Sequence, residues 1–297
     1  MRAKDTKTQI SIVIPTYRRA GIIPGTIKAF SGQTCGSFEM IIVEQGPEVM
    51  PKEEMSDWNL PFPIRYLRQE EPNLPKARNA GIKAAAADIV LFCDDDIVPD
   101  KSLVEKHLDN YKDDRVGGVG GRVIDISKRK KRPSLKSFYP FVATFNPLDG
   151  SLFFNFDKDT RREVKHINGC NMSFRKEPLI RAGLFDELLG GTSNTEDTDM
   201  SFRIRRLGYR LIFEPGAVVK HLGLTYGGCQ MDSIYEHIYW LYFTDTVFFL
   251  KYVKKIFFPF FFLRVFTRLA VYVLTRRDPT IAVHAKKGFL EALKREI

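Results

Sequence analysis

The sequence predicts an α/β protein: a doubly wound sheet followed by a helical, aromatic-rich C-terminal appendage. Three observations predict it. Short β-branched runs bounded by turn residues, ISIVIP at 10–15, EMIIV at 39–43 and DIVLFC at 88–93, read as strands buried on both faces. The stretches between them, 22–31 and the alanine-rich 75–87, read as helices, so the first hundred residues alternate β and α as a parallel sheet requires. After about Thr225 the composition shifts, and residues 235–272 hold 15 of the chain's 37 aromatic residues.

Ligands of such sheets collect at the carboxyl ends of the strands. The three strands end in PTYRR, EQG and DDD, all polar or acidic. Next, VGGVGGRVID at 116–125 reads as a further strand, and the basic stretch SKRKKRPSLKS after it as an exposed, mobile loop. From INGCNMSFRKE (167–177), short strands and turns lead to TEDTDMSFRIRRLGYRL. There Met200, Ile204 and Leu207 share a helical face, so a helix starts near the acids.

In the tail, Tyr235, Ile238, Tyr239, Tyr242, Phe243, Thr246, Phe249, Leu250 and Val253 keep helical spacing. Pro259, inside FFPFFF, marks a break between two helices. The longest uncharged run is shorter than the about 20 residues that cross a bilayer. With Lys251, Lys254, Lys255, Arg264 and Arg268 interleaved, residues 235–277 suit a membrane interface. The alternative is packing on the preceding α/β domain or on a second subunit.

At 297 residues and 44% hydrophobic, the chain has enough apolar material for a large α/β domain, which excludes disorder. A net charge of +10 points to an anionic partner. No nucleic-acid binding is predicted, since much of the excess lies in the 127–136 loop and the tail, where membrane phosphates explain it equally well. Four scattered cysteines form no CxxC pair, which suits a reducing compartment. The N-terminus shows no apolar signal-peptide core. The expectation is a cytoplasmic protein, peripheral on the inner face of the cell membrane.

Asp94, Asp95 and Asp96 are adjacent like charges at the tip of a buried strand. A divalent cation would answer their repulsion, because Mg2+ and Mn2+ prefer oxygen ligands and bridge protein to phosphate. The alternative is a solvated turn in which Asp94 or Asp96 caps the next helix.

SIVIPTYRR, a second strand with an acid at its end, NLPKARNAGIKAAAADIVLFCDDD, GCNMSFRKE and TEDTD occur in an order that resembles the family 2 glycosyltransferases over roughly residues 8 to 222. The resemblance implies a GT-A fold, a Rossmann-like mixed sheet, over residues 1–225, with 226–297 as the appendage. It also implies an inverting transferase using a nucleotide-diphosphate sugar donor, Mg2+ or Mn2+, and a sugar or lipid-linked acceptor, as in surface polysaccharide synthesis.

On that resemblance DDD is the DxD motif, with Asp94 near the ribose, Asp96 on the metal and Asp95 in support. Pro15, Thr16 and Tyr17 match the nucleoside-binding stretch, and Arg78 matches an arginine near the nucleotide. VEQG departs from the usual aspartate-rich sequence, leaving Glu44 and Gln45 to face the base. Lys76 reads as a surface charge and Asn79 as a helix-start residue.

Glu196-Asp197-Thr198-Asp199 matches the ED motif. An inverting displacement needs a carboxylate to take the proton of the attacking hydroxyl. Asp197 is assigned that role, with Glu196 as second choice or as an acceptor-orienting group. The alternative is a helix N-terminus decorated with acids. GGTSN before it offers a loop that could close on the donor.

Arg203 or Arg206 could reach in to help neutralise the leaving diphosphate, although each taken singly better suits a surface position or a salt bridge. His221 is a candidate metal ligand, and Gly169 and Asn171 are placed beside the bound sugar. Two other readings share the α/β sheet: a non-catalytic nucleotide-sugar binding module, and a nucleotidyltransferase, for which PTYRRAG is a poor phosphate loop.

Overall fold

The computed structural model describes residues 8–47, 59–127, 142–191, 195–231 and 233–295. The basic loop lies almost entirely outside these residues, as do Thr192 to Asn194 of the GGTSN stretch.

The apolar runs form strands as expected: β1 (Ile10–Tyr17), β2 (Phe38–Gln45) and β4 (Ile89–Cys93), each buried almost throughout. A strand absent from the sequence reading, β3 (Ile64–Gln69), adds to the edge. Its alternating charges hide it, because only part of it is covered. β5 (Ile97–Pro99), β6 (Val116–Asp125), β9 (Arg162–Val164), β10 (Asn171–Arg175) and β11 (Arg210–His221) complete the main sheet, while β7 (Thr144–Phe145) and β8 (Leu152–Phe153) pair separately.

Among the described residues the main sheet runs β3-β2-β1-β4-β10-β6-β11-β5, with β9 beside β11. β3, β2, β1 and β4 are mutually parallel, and β10 is antiparallel to both β4 and β6. The sheet is therefore mixed.

Side-chain alternation divides the core. Ile10, Ile12 and Ile14 of β1 pack with α1 (Ile23–Ala29) and α3 (Leu103–Asn110) on one face. Val13 packs on the other with α2 (Leu74–Ala84) and α5 (Glu196–Arg206). α2 opens on Asn73, whose side chain accepts the Lys76 amide, and Pro75 fills its first turn. Asn79 is thus not a start residue: it sits inside the helix, buried, and donates to the Phe185 carbonyl at 2.9 Å. A Cβ on Gly81 would overlap Val13, so glycine at this position lets α2 lie close on β1.

α4 (Lys176–Arg181) follows β10, and the C-terminal region forms α6 (Ile234–Tyr252), α7 (Phe258–Arg276) and α8 (Thr280–Leu293). Pro259 stands in the first turn of α7, just after the expected break. The three helices share their own apolar core, and α6 is anchored to α5. Asp199 accepts hydrogen bonds from Tyr252 Oη at 2.6 Å and Lys251 Nζ at 3.0 Å. Phe202 stacks among Phe145, Phe248 and Tyr252.

The segment Lys255–Arg276 is long and apolar enough to cross a membrane by length and composition. It is so with charged residues inside it; the longest uncharged run is still short, as the sequence reading has it. The two arginines that interrupt the run turn inward to Asp245, leaving Phe260, Phe262, Leu263, Phe266, Val271 and Leu274 exposed.

Candidate active site

A cavity of about 610 Å3 opens over the carboxyl ends of β1, β2 and β4. Pro15 and Tyr17 of β1, Gln45 of β2, Arg78 of α2 and the three tip aspartates all line it.

The aspartate cluster divides by partner. Asp95 turns into the protein: Oδ2 accepts from Thr16 Oγ1 at 2.6 Å and Oδ1 from Arg19 Nη1 at 2.6 Å. Its carboxyl is pushed up to about 6 by burial, against the opposing pull of Arg19 and Thr16. Arg19 is 7% exposed and is fixed by a bond from Nε to the Tyr226 carbonyl. The protein itself therefore supplies part of the countercharge that the sequence reading reserved for a metal.

Asp94 and Asp96 face the cavity with His221, which ends β11 and pairs in register with Ile97 just beyond the aspartates. Their ligand atoms all lie within 4.8 Å of one another. His221 Nε2 is 3.2 Å from Asp96 Oδ1 and 3.5 Å from Asp94 Oδ2, and hydrogen bonding to these two carboxylates raises the imidazole to about 10. Burial would raise Asp96. The positive charges of His221 and Arg19 and the amide of Leu224 outweigh it and hold the carboxyl below its usual range.

Asp96 Oδ1 is buried, 3.2 Å from His221 Nε2 and 3.3 Å from Arg19 Nη1. An imidazolium thus stands among anionic oxygens where a divalent ion would be stable, and the donor set of two carboxylates and one ring nitrogen fits one.

The second acidic motif comes to the same cavity. Its residues open α5, where exposed amides favour negative charge. Asp197 Oδ2 accepts from Gly169 N at 2.8 Å and Oδ1 from Thr198 N at 2.6 Å. Glu196 Oε1 binds Arg78 Nη1 at 2.6 Å, both side chains 2% exposed, while Glu196 Oε2 is buried with no hydrogen-bond partner among the described residues. Burial, then the charge of Asp197, lifts Glu196 to about 8 against the pull of Arg78, and burial also raises Asp197. Gly169 permits this packing, since a Cβ there would come within 2.5 Å of Arg78 Nη2.

Five expected residues lie elsewhere. Thr16 is buried and gives its hydroxyl to Asp95, because alternation along β1 turns it away from the side that Pro15 and Tyr17 present to the cavity. Arg203 bonds Asp199 and the carbonyls of Ala182 and Leu184, on the far side of α5. Arg206 donates to the Lys251 carbonyl and lies over Tyr252. Neither lines the cavity, because both lie on the stripe of α5 that holds α4 or α6. Asn171 is buried in a structural network, its amide donating to the Ala217 and Arg122 carbonyls and its oxygen 2.9 Å from His107 Nε2. Glu44 is buried and Gln45 lines the cavity instead, as alternation along β2 requires. Gln45 Oε1 accepts from Asn73 N at 2.8 Å.

Sequence reasoning missed Arg19, and also Asp245, Arg264 and Arg268, all of which line the cavity. A signal existed for each: a second arginine just past the β1 tip, an acid amid the aromatic run of α6, and two arginines four residues apart in an apolar helix.

Residues 11–183 match the family model described as glycosyl transferase family 2. The chain is 30% identical over 239 residues to a chondroitin synthase of Escherichia coli, a match spanning 71% of this chain and 34% of that protein. Its fold is shared by S. aureus TarS 1–349 in complex with UDP-GlcNAc, with a TM-score of 0.59, 15% identity, and coverage of 83% of this chain and 68% of that one. It is shared too by a Pyrobaculum calidifontis mannosyltransferase in complex with GDP-Man and Mn2+, with a TM-score of 0.58, 16% identity, and coverage of 99% and 77%.

Proposed function

The chain belongs to glycosyl transferase family 2, and from that premise we propose that it moves a sugar from a nucleotide-diphosphate sugar to an acceptor hydroxyl with inversion at the anomeric carbon. One observation carries the reading: a single cavity joins a carboxylate–histidine cluster at the strand tips to a second buried carboxylate pair a hundred residues later in sequence. Among the compared proteins one is a chondroitin synthase, and two that share the fold are bound to the nucleotide sugars UDP-GlcNAc and GDP-Man.

Asp197 takes the proton of the acceptor hydroxyl as it attacks. Its two backbone hydrogen bonds fix the carboxylate, and burial raises its basicity toward the working pH. Glu196, locked to Arg78, orients the acceptor side of the cavity. Pro15, Tyr17 and Gln45 hold the nucleoside, with Tyr17 covering the base, and Asp94 takes the ribose. Thr16 and Arg19 keep Asp95 turned inward so that Asp94 and Asp96 face the donor.

Asp96 and His221 would hold Mg2+ or Mn2+, which supplies charge stabilisation to the departing diphosphate. The imidazole nitrogen favours Mn2+. Intact carboxylates in both motifs favour an enzyme over a binding module.

Residues 1–225 are read as the transferase domain and 226–297 as its helical region, which lies peripherally on the cytoplasmic face of a membrane. The exposed apolar row on α7 and the flanking Lys254, Lys255, Arg276 and Arg277 support this placement. So do four free cysteines. A lipid-linked or membrane-held glycan acceptor follows.

The test is a panel of nucleotide sugars scored for thermal stabilisation with and without Mn2+. Under this reading one donor stabilises strongly only with the metal, and Asp96→Ala removes that synergy. Full turnover in excess chelator would overturn the metal-dependent form.

A further inference from the structure

The cavity has a second charged wall, built by the C-terminal helices. Asp245 on α6 and Arg264 and Arg268 on α7 line it. Asp245 Oδ2 accepts from Arg264 Nη1 at 3.0 Å and from Arg268 Nη2 at 2.6 Å. Two guanidinium groups share one carboxylate, so this wall keeps a surplus positive charge.

Each arginine is braced against a ring, Arg264 over Phe261 at 5.3 Å and Arg268 over Tyr242 at 4.7 Å. Arg264 Nε is tied to the Asp149 carbonyl at 3.1 Å. Arg264 Nη2 and Arg268 Nε are closed from water and have no hydrogen-bond partner among the described residues. His237 registers the same field, its imidazole lowered by burial and by the charge of Arg268.

One arginine would suffice to pair Asp245. A second, braced in place on an otherwise apolar helix and lining the cavity, brings the planar fork that recognition of an oxyanion needs. The groups assigned above to the donor come from the strands and their tips; this pair comes from the helices that follow the matched family region.

We propose that Arg264 and Arg268 form an oxyanion subsite for the acceptor, recognising a phosphate or carboxylate group that the acceptor carries. The subsite rests on the donor-site reading above. It also gives α7 two jobs on opposite faces: apolar side chains turned outward and anion-binding groups turned toward the cavity.

The test uses the full chain with Mn2+ and either UDP or GDP at saturation, at constant ionic strength. Inorganic phosphate and glucuronate are titrated separately while melting temperature is followed. A saturable further rise with phosphate identifies a phosphorylated acceptor; one with glucuronate identifies an acidic sugar. In R264Q/R268Q the apparent Kd for that anion rises at least tenfold, while stabilisation by nucleotide and Mn2+ persists.

R264K and R268K keep the charge facing Asp245 but lose the planar fork, and each weakens the anion response partially. Should the double variant lose its cooperative melt, these two carry the comparison. The proposal is overturned if wild type shows nucleotide stabilisation but no saturable response to either anion. It is equally overturned if the substitutions leave the anion Kd unchanged or abolish nucleotide stabilisation, which would place the arginines on the donor. Absence of any nucleotide response in wild type is a different result and refutes the donor site itself.

Discussion

Replacing Arg78 by Met removes a guanidinium that is 2% exposed and 2.6 Å from an equally buried Glu196 carboxylate. The methionine fills similar space, so the perturbation is chiefly electrostatic. Breaking one side of a buried ion pair costs about 3–5 kcal/mol, because the remaining charge stays desolvated. For a chain of this size that corresponds to a fall of roughly 10 °C in melting temperature.

The pH dependence separates this cause from lost packing. In the folded protein Glu196 is raised from 4.5 to about 8, so between those values the native state holds a proton that the unfolded chain has released. Stability from this group is therefore greatest at low pH and declines as pH rises through that window. Without Arg78 the folded carboxyl rises further, and the decline extends to higher pH. The penalty of Arg78→Met should be small near pH 5 and approach its full size above pH 8 in urea unfolding. Adding Glu196→Gln should restore about 2 kcal/mol or more, since a neutral pair replaces a buried orphan charge. A penalty constant from pH 5 to 9, or a double variant as unstable as the sum of the singles, would refute the reasoning.

Further outcomes follow from the same geometry. Asp197→Asn should lower kcat about 100- to 10,000-fold while leaving the Mn2+-dependent nucleotide stabilisation intact, measured by initial rates and thermal shift. Gly169→Ala places a methyl 2.5 Å from Arg78 Nη2, so it should displace the guanidinium and reduce both stability and turnover, read by melting and by rate. Phe262→Glu with Phe266→Glu puts charges on exposed positions of α7, and co-sedimentation with anionic-lipid vesicles should fall while the melting temperature holds within about 2 °C. Unaltered vesicle binding would remove the membrane from the reading.

Much of the site was legible because its chemistry lies at strand ends. ISIVIP, EMIIV and DIVLFC are apolar runs whose only stable place is between two layers, and the residues that follow each run emerge at one edge of a parallel sheet. This placed Pro15, Tyr17 and the aspartates together without any knowledge of contacts. Asp197 and Glu196 were found through their motif. β3 escaped because Arg65, Arg68 and Gln69 break the apolar pattern of a half-covered edge strand.

What the sequence determined by itself, then, was the layered sheet, the order of its acidic tips and the helical nature of the tail, because these follow from local periodicity and burial. Tertiary structure alone decided which cations reach the cavity. Arg203 and Arg206, close to Asp197 in sequence, are drawn away by carbonyls of the loop after α4 and of α6, whereas Arg264 and Arg268, about sixty residues further on, are turned inward by Asp245. A long flexible side chain goes where its countercharge and its packing partner lie, and the chain brings those partners together only on folding.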